Sequence, residues 1–238
     1  MKADILAFGA HPDDIELGCG GTIIKHAESG KMIVLADLTY GELGTRGDVE
    51  TRKAEAEKAA KLMGVKHRLN LGFRDGFFKV DEEHILKVIQ VIRKFKPEVV
   101  LANAITDRHP DHGRGAELVR QASFLSGLRR IETIEEGIIQ ESWRPKNVYH
   151  YIQALDITPD FVVDVTGYAE KKKAAVLAHK SQFYQADSKE PETFISSPEF
   201  LDFNEARMMH WGMPAGAKLA EGFTVVKPIL VQSLSDLG

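Results

Sequence analysis

Apolar residues fall into two spacings along the first half of the chain, and the two alternate. Residues 5–10 (ILAFGA) form a short apolar run of strand length. Residues 15–28 follow at helical spacing and stop before Gly30. Residues 32–38 are a second apolar run, after which a polar, glycine-rich loop covers residues 40–49. Residues 50–63 carry Ala, Lys and Glu at helical spacing up to Gly64, and residues 67–71 read as a third strand. Residues 82–95 place Ile, Leu and Val three and four apart, the mark of an amphipathic helix. Pro97 then introduces a buried-type strand at 98–102, and another helix is expected at 115–126. This alternation predicts an α/β fold: a doubly wound, Rossmann-like, mostly parallel sheet with helices on both faces. The later pattern is less regular. Strands are expected at 147–152 and 161–165, a helix at 170–179 and a surface loop at 185–198.

The length, 238 residues, is enough for one well-buried core, and residues 1–238 are read as a single domain. A formal net charge of -4 gives no basic excess, so nucleic acid is not an expected partner. Cys19 is the one cysteine, which rules out an intrachain disulfide and fits a reducing, cytoplasmic setting. The N-terminal apolar stretch is too short for a signal peptide or a membrane span, and no membrane partner is expected. The apolar segment MMHWGM at 208–213 is compatible with a homo-oligomer interface or with core.

Two short segments concentrate chemistry: AHPDD at 10–14 and HPDH at 109–112, each following an expected buried strand. In an open α/β sheet, loops beyond the carboxyl ends of strands converge on one crevice. Zinc accepts imidazole nitrogen and carboxylate oxygen, and a catalytic site leaves one position for water. His11, Asp14 and His112 make such a set, with Fe2+ or another divalent metal as the alternative to zinc. Asp13, His109 and Asp111 are then the polar residues beside it. A lone His-Pro-Asp is usually only a turn; two such loops after two strands carry the metal reading. The glycines at 18, 20 and 21 are too compressed for a dinucleotide fingerprint and are read as packing positions. Cys19 is read as a small buried residue. Ser181 and Ser196 lack a nucleophile-elbow context, and His26, His67, His84, His150, His179 and His210 stand singly.

With both motifs in hand, the chain resembles the PIG-L/LmbE-like family of zinc deacetylases. The segments YGELGTRGDVETRKAEAEKAA at 40–60, AHKSQF at 178–183 and EARMMHWGMPAGAKLAEGF at 205–223 extend the resemblance over nearly the whole chain. It implies zinc on His11, Asp14 and His112. It also implies Asp13 as general base, His109 as an acid or electrostatic group oriented by Asp111, and Arg52 reaching the substrate. Arg108, beside the metal motif, is a second candidate contact. Within the family the chain looks most like the bacillithiol-pathway branch, which deacetylates N-acetylglucosaminyl-malate. Mycothiol-pathway relatives carry a tyrosine where this chain has Asp107. Deacetylation of a chitooligosaccharide, or a non-catalytic metal- or dinucleotide-binding module, are the alternatives. The group that protonates the leaving amine, Asp13 or His109, stays open at this stage.

Overall fold

The computed structural model describes residues 1–233. The chain runs β1 (Ile5–Gly9), α1 (Asp14–Glu28), β2 (Ile33–Thr39), α2 (Val49–Leu62), β3 (His67–Phe73), α3 (Glu82–Phe95), β4 (Val99–Ala102) and α4 (Pro110–Leu125). It continues as β5 (Ile134–Glu135), β6 (Ile138–Ile139), β7 (Asn147–Tyr151), β8 (Phe161–Asp164), α5 (Ala169–Val176), α6 (Phe200–Gly212) and β9 (Ala220–Val225). Seven strands form one sheet in the order β3-β2-β1-β4-β7-β9-β8, and β5 and β6 pair apart from it. The pairs from β3 through β7 are parallel, whereas β9 runs antiparallel to both neighbours.

Side chains alternate across a strand, so each strand serves two cores. Leu6 and Phe8 of β1 pack with Val88, Ile92, Leu118 and Val119 of α3 and α4 on one face. Ile5 and Ala7 pack with Ile15, Ile23, Ala60 and Ala175 of α1, α2 and α5 on the other. The doubly wound architecture read from the alternation is therefore present. Caps set the helix limits: Asp48 and Asp81 accept from the backbone N–H groups of Thr51 and His84, and Lys96 at φ 44° ends α3 just before Pro97.

Three features depart from the sequence expectation. First, α4 begins at Pro110, five positions before Gly115, because His109 caps it and Pro110 is suited to the first helical position. Its early glycines hide that start. Second, α6 and β9 were not expected, and β9 inserts between β7 and β8. Third, α1 is kinked at Cys19 (φ -144°, ψ 22°). The kink frees backbone groups that α5 and β9 satisfy. Lys172 Nζ donates to Leu17 O at 2.9 Å, and Glu221 accepts from Gly21 N at 2.9 Å and Thr22 N at 2.7 Å. Lys172 and Glu221 pair at 2.7 Å.

The glycines after β1 pack closely, as expected. A Cβ on Gly18 would lie 2.2 Å from the Tyr151 ring, whose hydroxyl donates to Phe8 O at 2.8 Å. Cys19 is fully buried. Beneath the sheet ends, Arg68 of β3 makes two bonds to Asp37, at 2.7 and 2.8 Å, and one to Glu16 at 2.5 Å. His179 meets Glu16 at 3.0 Å. The 208–213 segment is divided: Met208 and Trp211 are buried, while Met209 and Met213 are exposed. No helix among the described residues is long and apolar enough to cross a membrane.

Candidate active site

From β1 the chain passes to β2 on one side, and β4 is laid down on the other. The strand order therefore reverses between β1 and β4, leaving a crevice at their carboxyl ends. Residues 10–14 leave β1 and residues 103–112 leave β4 at this crevice. The turn after β3 adds Asp75 and the segment after β7 adds Gln153. These loops line one concave cavity at the carboxyl ends of the strands, the place where open α/β sheets bind small molecules.

His11, Asp14 and His112 come together. Asp14 stands between the two imidazoles, with Oδ1 3.1 Å from His112 Nε2 and Oδ2 3.6 Å from His11 Nδ1. The two rings lie 5.6 Å apart at their centroids. Asp14 is fixed by amide donors, Gln153 Nε2 on Oδ1 and Asn103 Nδ2 on Oδ2, both at 2.9 Å. Asp107 Oδ2 meets His112 Nδ1 at 2.5 Å, and its other oxygen accepts from the backbone N–H groups of Ala154 and Leu155 at 3.1 and 2.8 Å. A carboxylate holding the far nitrogen of a histidine is the arrangement that orients a metal-binding imidazole.

The donor set fits a divalent cation. Burial works against a charged imidazole at both positions. The carboxylates of Asp111, Asp14 and Asp75 outweigh it at His11, whose pKa is raised. Asp14 and Asp107 do so at His112, which is pushed up to about 9. The site therefore collects more negative charge than its nearby arginines offset, and a bound cation relieves it without protonating the ligands. Ligand atoms of His11, His109 and His112 lie within 4.8 Å of one another, as do those of His11, Asp75 and Asp111.

Asp13 is buried beside this cluster with φ 119°, a backbone region that side chains rarely adopt. Such strain costs about 1–3 kcal/mol and persists where the surrounding structure demands it. Burial raises the Asp13 pKa to about 6, Arg52 opposes the rise, and Asp14 adds to it.

The stretch at residues 6–123, which carries both His/Asp loops, matches the model of the family described as PIG-L: GlcNAc-PI de-N-acetylase. The diacetylchitobiose deacetylase of Thermococcus kodakarensis is 30% identical over 239 residues, covering 95% of this chain and 84% of that protein. This chain belongs to the PIG-L family. Among solved structures, the conserved protein TT1542 of Thermus thermophilus shares the fold at a TM-score of 0.86, with 34% identity and 98% of each chain covered. The probable N-acetyl-alpha-D-glucosaminyl L-malate deacetylase 2 of Bacillus anthracis is a more distant PIG-L relative. It is 27% identical over 202 residues, covering 75% of this chain and 81% of its own.

Two expected arrangements differ from the geometry. Asp111 does not point its carboxylate at His109. Its Oδ2 accepts from Gly76 N at 2.8 Å and lies 3.5 Å from His11 Nε2, and its Oδ1 pairs with Arg114. The Asp111 backbone N–H instead reaches His109 Nδ1 at 3.3 Å, as the helix cap requires. Burial, together with the neighbouring His11 and His112, lowers the His109 pKa, which works against a charged imidazolium there. With Nδ1 accepting, the proton of a neutral ring sits on Nε2.

Arg52 reaches the cavity wall but is buried and engaged. Nη1 donates to Gly41 O and Nη2 to Pro12 O, both at 2.9 Å, with Asp13 Oδ2 at 3.5 Å. A Cβ on Gly41, which has φ 67°, would collide with this guanidinium. Arg52 therefore ties the loop after β2 to the Asp13 turn. Arg108 is exposed and lies over the Phe194 ring at 4.5 Å.

Asp75, Asn103 and Gln153 are not singled out by the sequence, and Asp107 enters it only as the residue standing where some relatives have a tyrosine. Asp75 Oδ1 meets His11 Nε2 at 3.1 Å and its Oδ2 accepts from Leu43 N at 3.0 Å, joining the 40–49 loop to the His/Asp cluster. Asp75 and Asn103 each follow a strand closely, and that position was the available signal. Gln153 carries the same signal, directly after the strand expected at 147–152. The loop at 185–198 is largely exposed, but Phe194 and Ile195 at its end line the cavity.

Proposed function

We propose that this protein is a zinc-dependent hydrolase that removes the N-acetyl group from an N-acetylglucosaminyl conjugate, with residues 1–238 forming one catalytic domain. The observation that carries this reading is a strained, buried Asp13 beside a His11, Asp14 and His112 cluster in a cavity at the switch point of the sheet. His11, Asp14 and His112 would hold a zinc ion or another divalent metal, which would supply a Lewis acid for the acetyl carbonyl and a lowered pKa, toward ~7, for a water.

This chain's residues do the rest. Asp13 accepts the proton of the attacking water, and Arg52 beside it favours the ionised carboxylate that can do so. His109 presents its Nε2–H to the charge developing on the acetyl oxygen as a neutral donor. As the C–N bond breaks, acetate leaves. The amine takes its proton from Asp13, which returns the one it accepted, because a neutral His109 has a weaker claim as the acid. Asp107 and Asp75 hold the imidazoles of His112 and His11, and Asn103 and Gln153 hold Asp14.

For the conjugate, N-acetylglucosaminyl-malate is the substrate we favour, supported by the GELGTRG, SQFY and AEGF segments and the Bacillus anthracis relative. The Thermococcus relative supports a chitooligosaccharide as the second reading. Acetate release from N-acetylglucosaminyl-malate and from N,N'-diacetylchitobiose tests both, before and after chelation and with zinc added back. The expected result is release that chelation abolishes and zinc restores. No release from either conjugate by the zinc-loaded protein would overturn the reading.

A further inference from the structure

Three arginines of this chain, Arg52, Arg68 and Arg93, are held by oxygen acceptors. Arg68 is held by Asp37 and Glu16, and Arg52 by Gly41 O and Pro12 O. Arg93 donates to Ser126 O, Ile131 O, Leu128 O and Thr133 Oγ1. Arg207 of α6 contrasts with these three. It lines the catalytic cavity, half-buried, with its guanidinium 5.7 Å from the Phe203 ring and 5.5 Å from that of Trp211. Among the described residues nothing accepts from its buried Nε, and no carboxylate is in ion-pair contact with it.

A guanidinium drawn out of water without an oxygen partner is unfavourable, and burial lowers its pKa to about 10, which leaves it cationic at neutral pH. Asp107, Glu221 and Asp156 favour its charge only from beyond contact. A second cation, Arg108, stands on the same cavity over Phe194, also without an ion-pair partner among the described residues. The metal cluster gathers carboxylates, so an anionic substrate group has little to gain there beyond the metal itself. The α6 wall and the rim at Arg108 offer two uncompensated positive charges.

We propose that Arg207 is a specificity-determining residue that binds an anionic group, a carboxylate, on the aglycone of the N-acetylglucosaminyl substrate, with Arg108 as the second cation of the same subsite. This rests on the deacetylase reading and narrows it to acidic conjugates. The fork of Arg207 suits a carboxylate, and its aromatic neighbours hold the guanidinium in place without competing for its donors. The neutral chitooligosaccharide makes no such bond.

Calorimetric binding and steady-state kinetics are compared for N-acetylglucosaminyl-malate and N,N'-diacetylchitobiose, on zinc-loaded wild type, Arg207→Met and Arg207→Lys. The wild type should bind the malate conjugate more tightly than the neutral disaccharide. Arg207→Met should weaken malate-conjugate binding and raise its KM by at least about tenfold, with kcat nearly unchanged and the disaccharide unaffected. Arg207→Lys, which keeps the charge but not the fork, should recover part of the loss. Equal binding of the two ligands by the wild type, or equal losses for both in Arg207→Met, would overturn the proposal whether or not acetate is released. A binding preference that depends on Arg207 in a protein releasing no acetate would instead retire the hydrolase reading and leave the anion subsite standing.

Discussion

The parallel half of the sheet, β1 to β4, and the mixed part, β7 to β9 with α6, meet at one cavity but supply different things. The loops leaving β1, β3 and β4 bring acids and imidazoles packed within hydrogen-bonding distance of one another. The later segments bring Gln153, Asn204, Arg207 and the Phe194 and Phe200 rings, spaced along the wall, and of these Gln153 alone is bonded to the His/Asp cluster, at Asp14. One region builds a reacting centre and the other builds a surface that a substrate would lie against. Chemistry needs several groups within a few ångströms, so it falls on short loops at adjacent strand ends. Recognition can be spread along a helix.

This division can be broken by substitution. Asp13→Asn should cut kcat by about 10²–10⁴ while the zinc content measured on the purified protein stays at wild-type level. Near-normal turnover would remove Asp13 as the base. Arg68→Met leaves Glu16 and Asp37 buried without their cation. It should destabilise the fold by about 3–5 kcal/mol in denaturant titration, in a place that touches no substrate. Asp107→Asn frees His112 from its orienting carboxylate and should weaken zinc binding about 10–100-fold in a chelator competition. Unchanged affinity would mean that the 2.5 Å contact has no bearing on the metal. Asn204→Ala removes the 3.4 Å bond from α6 to Leu17 O, with an expected loss of about 1 kcal/mol in stability and a KM that rises more than kcat falls. A kcat effect as large as that of Asp13→Asn would erase the distinction between the two regions.

What could be read from sequence follows the same line. Through β4 each strand is a run of apolar residues and each helix an apolar stripe, so local periodicity was enough for the winding and for the two His/Asp loops. β9 escaped because its second residue is a glutamate, Glu221, whose burial is made tolerable by Lys172 and by the Gly21 and Thr22 N–H groups, all far away in sequence. α6 places Phe203 and Met209 outward and Met208 and Trp211 inward, so its apolar residues show no single face. Asp111 and Arg52 were found, but not their partners. Motif membership locates a side chain near the site, whereas the direction of a carboxylate or guanidinium depends on backbone groups such as Gly76 N and Gly41 O that carry no mark in the sequence.

The placement of β9 between two strands made before it has a consequence for how the molecule is born. β7 and β8 have no ladder to each other, and the break in α1 keeps unmet hydrogen-bonding groups until residue 221 arrives. A ribosome-bound chain stalled short of that residue can wind β1 through β4, but it holds an open sheet edge and an unfinished first helix. Its closing contacts span most of the polypeptide, the kind that form slowly. Protease resistance should therefore appear late in synthesis and abruptly, with the catalytic pocket among the last parts to take shape.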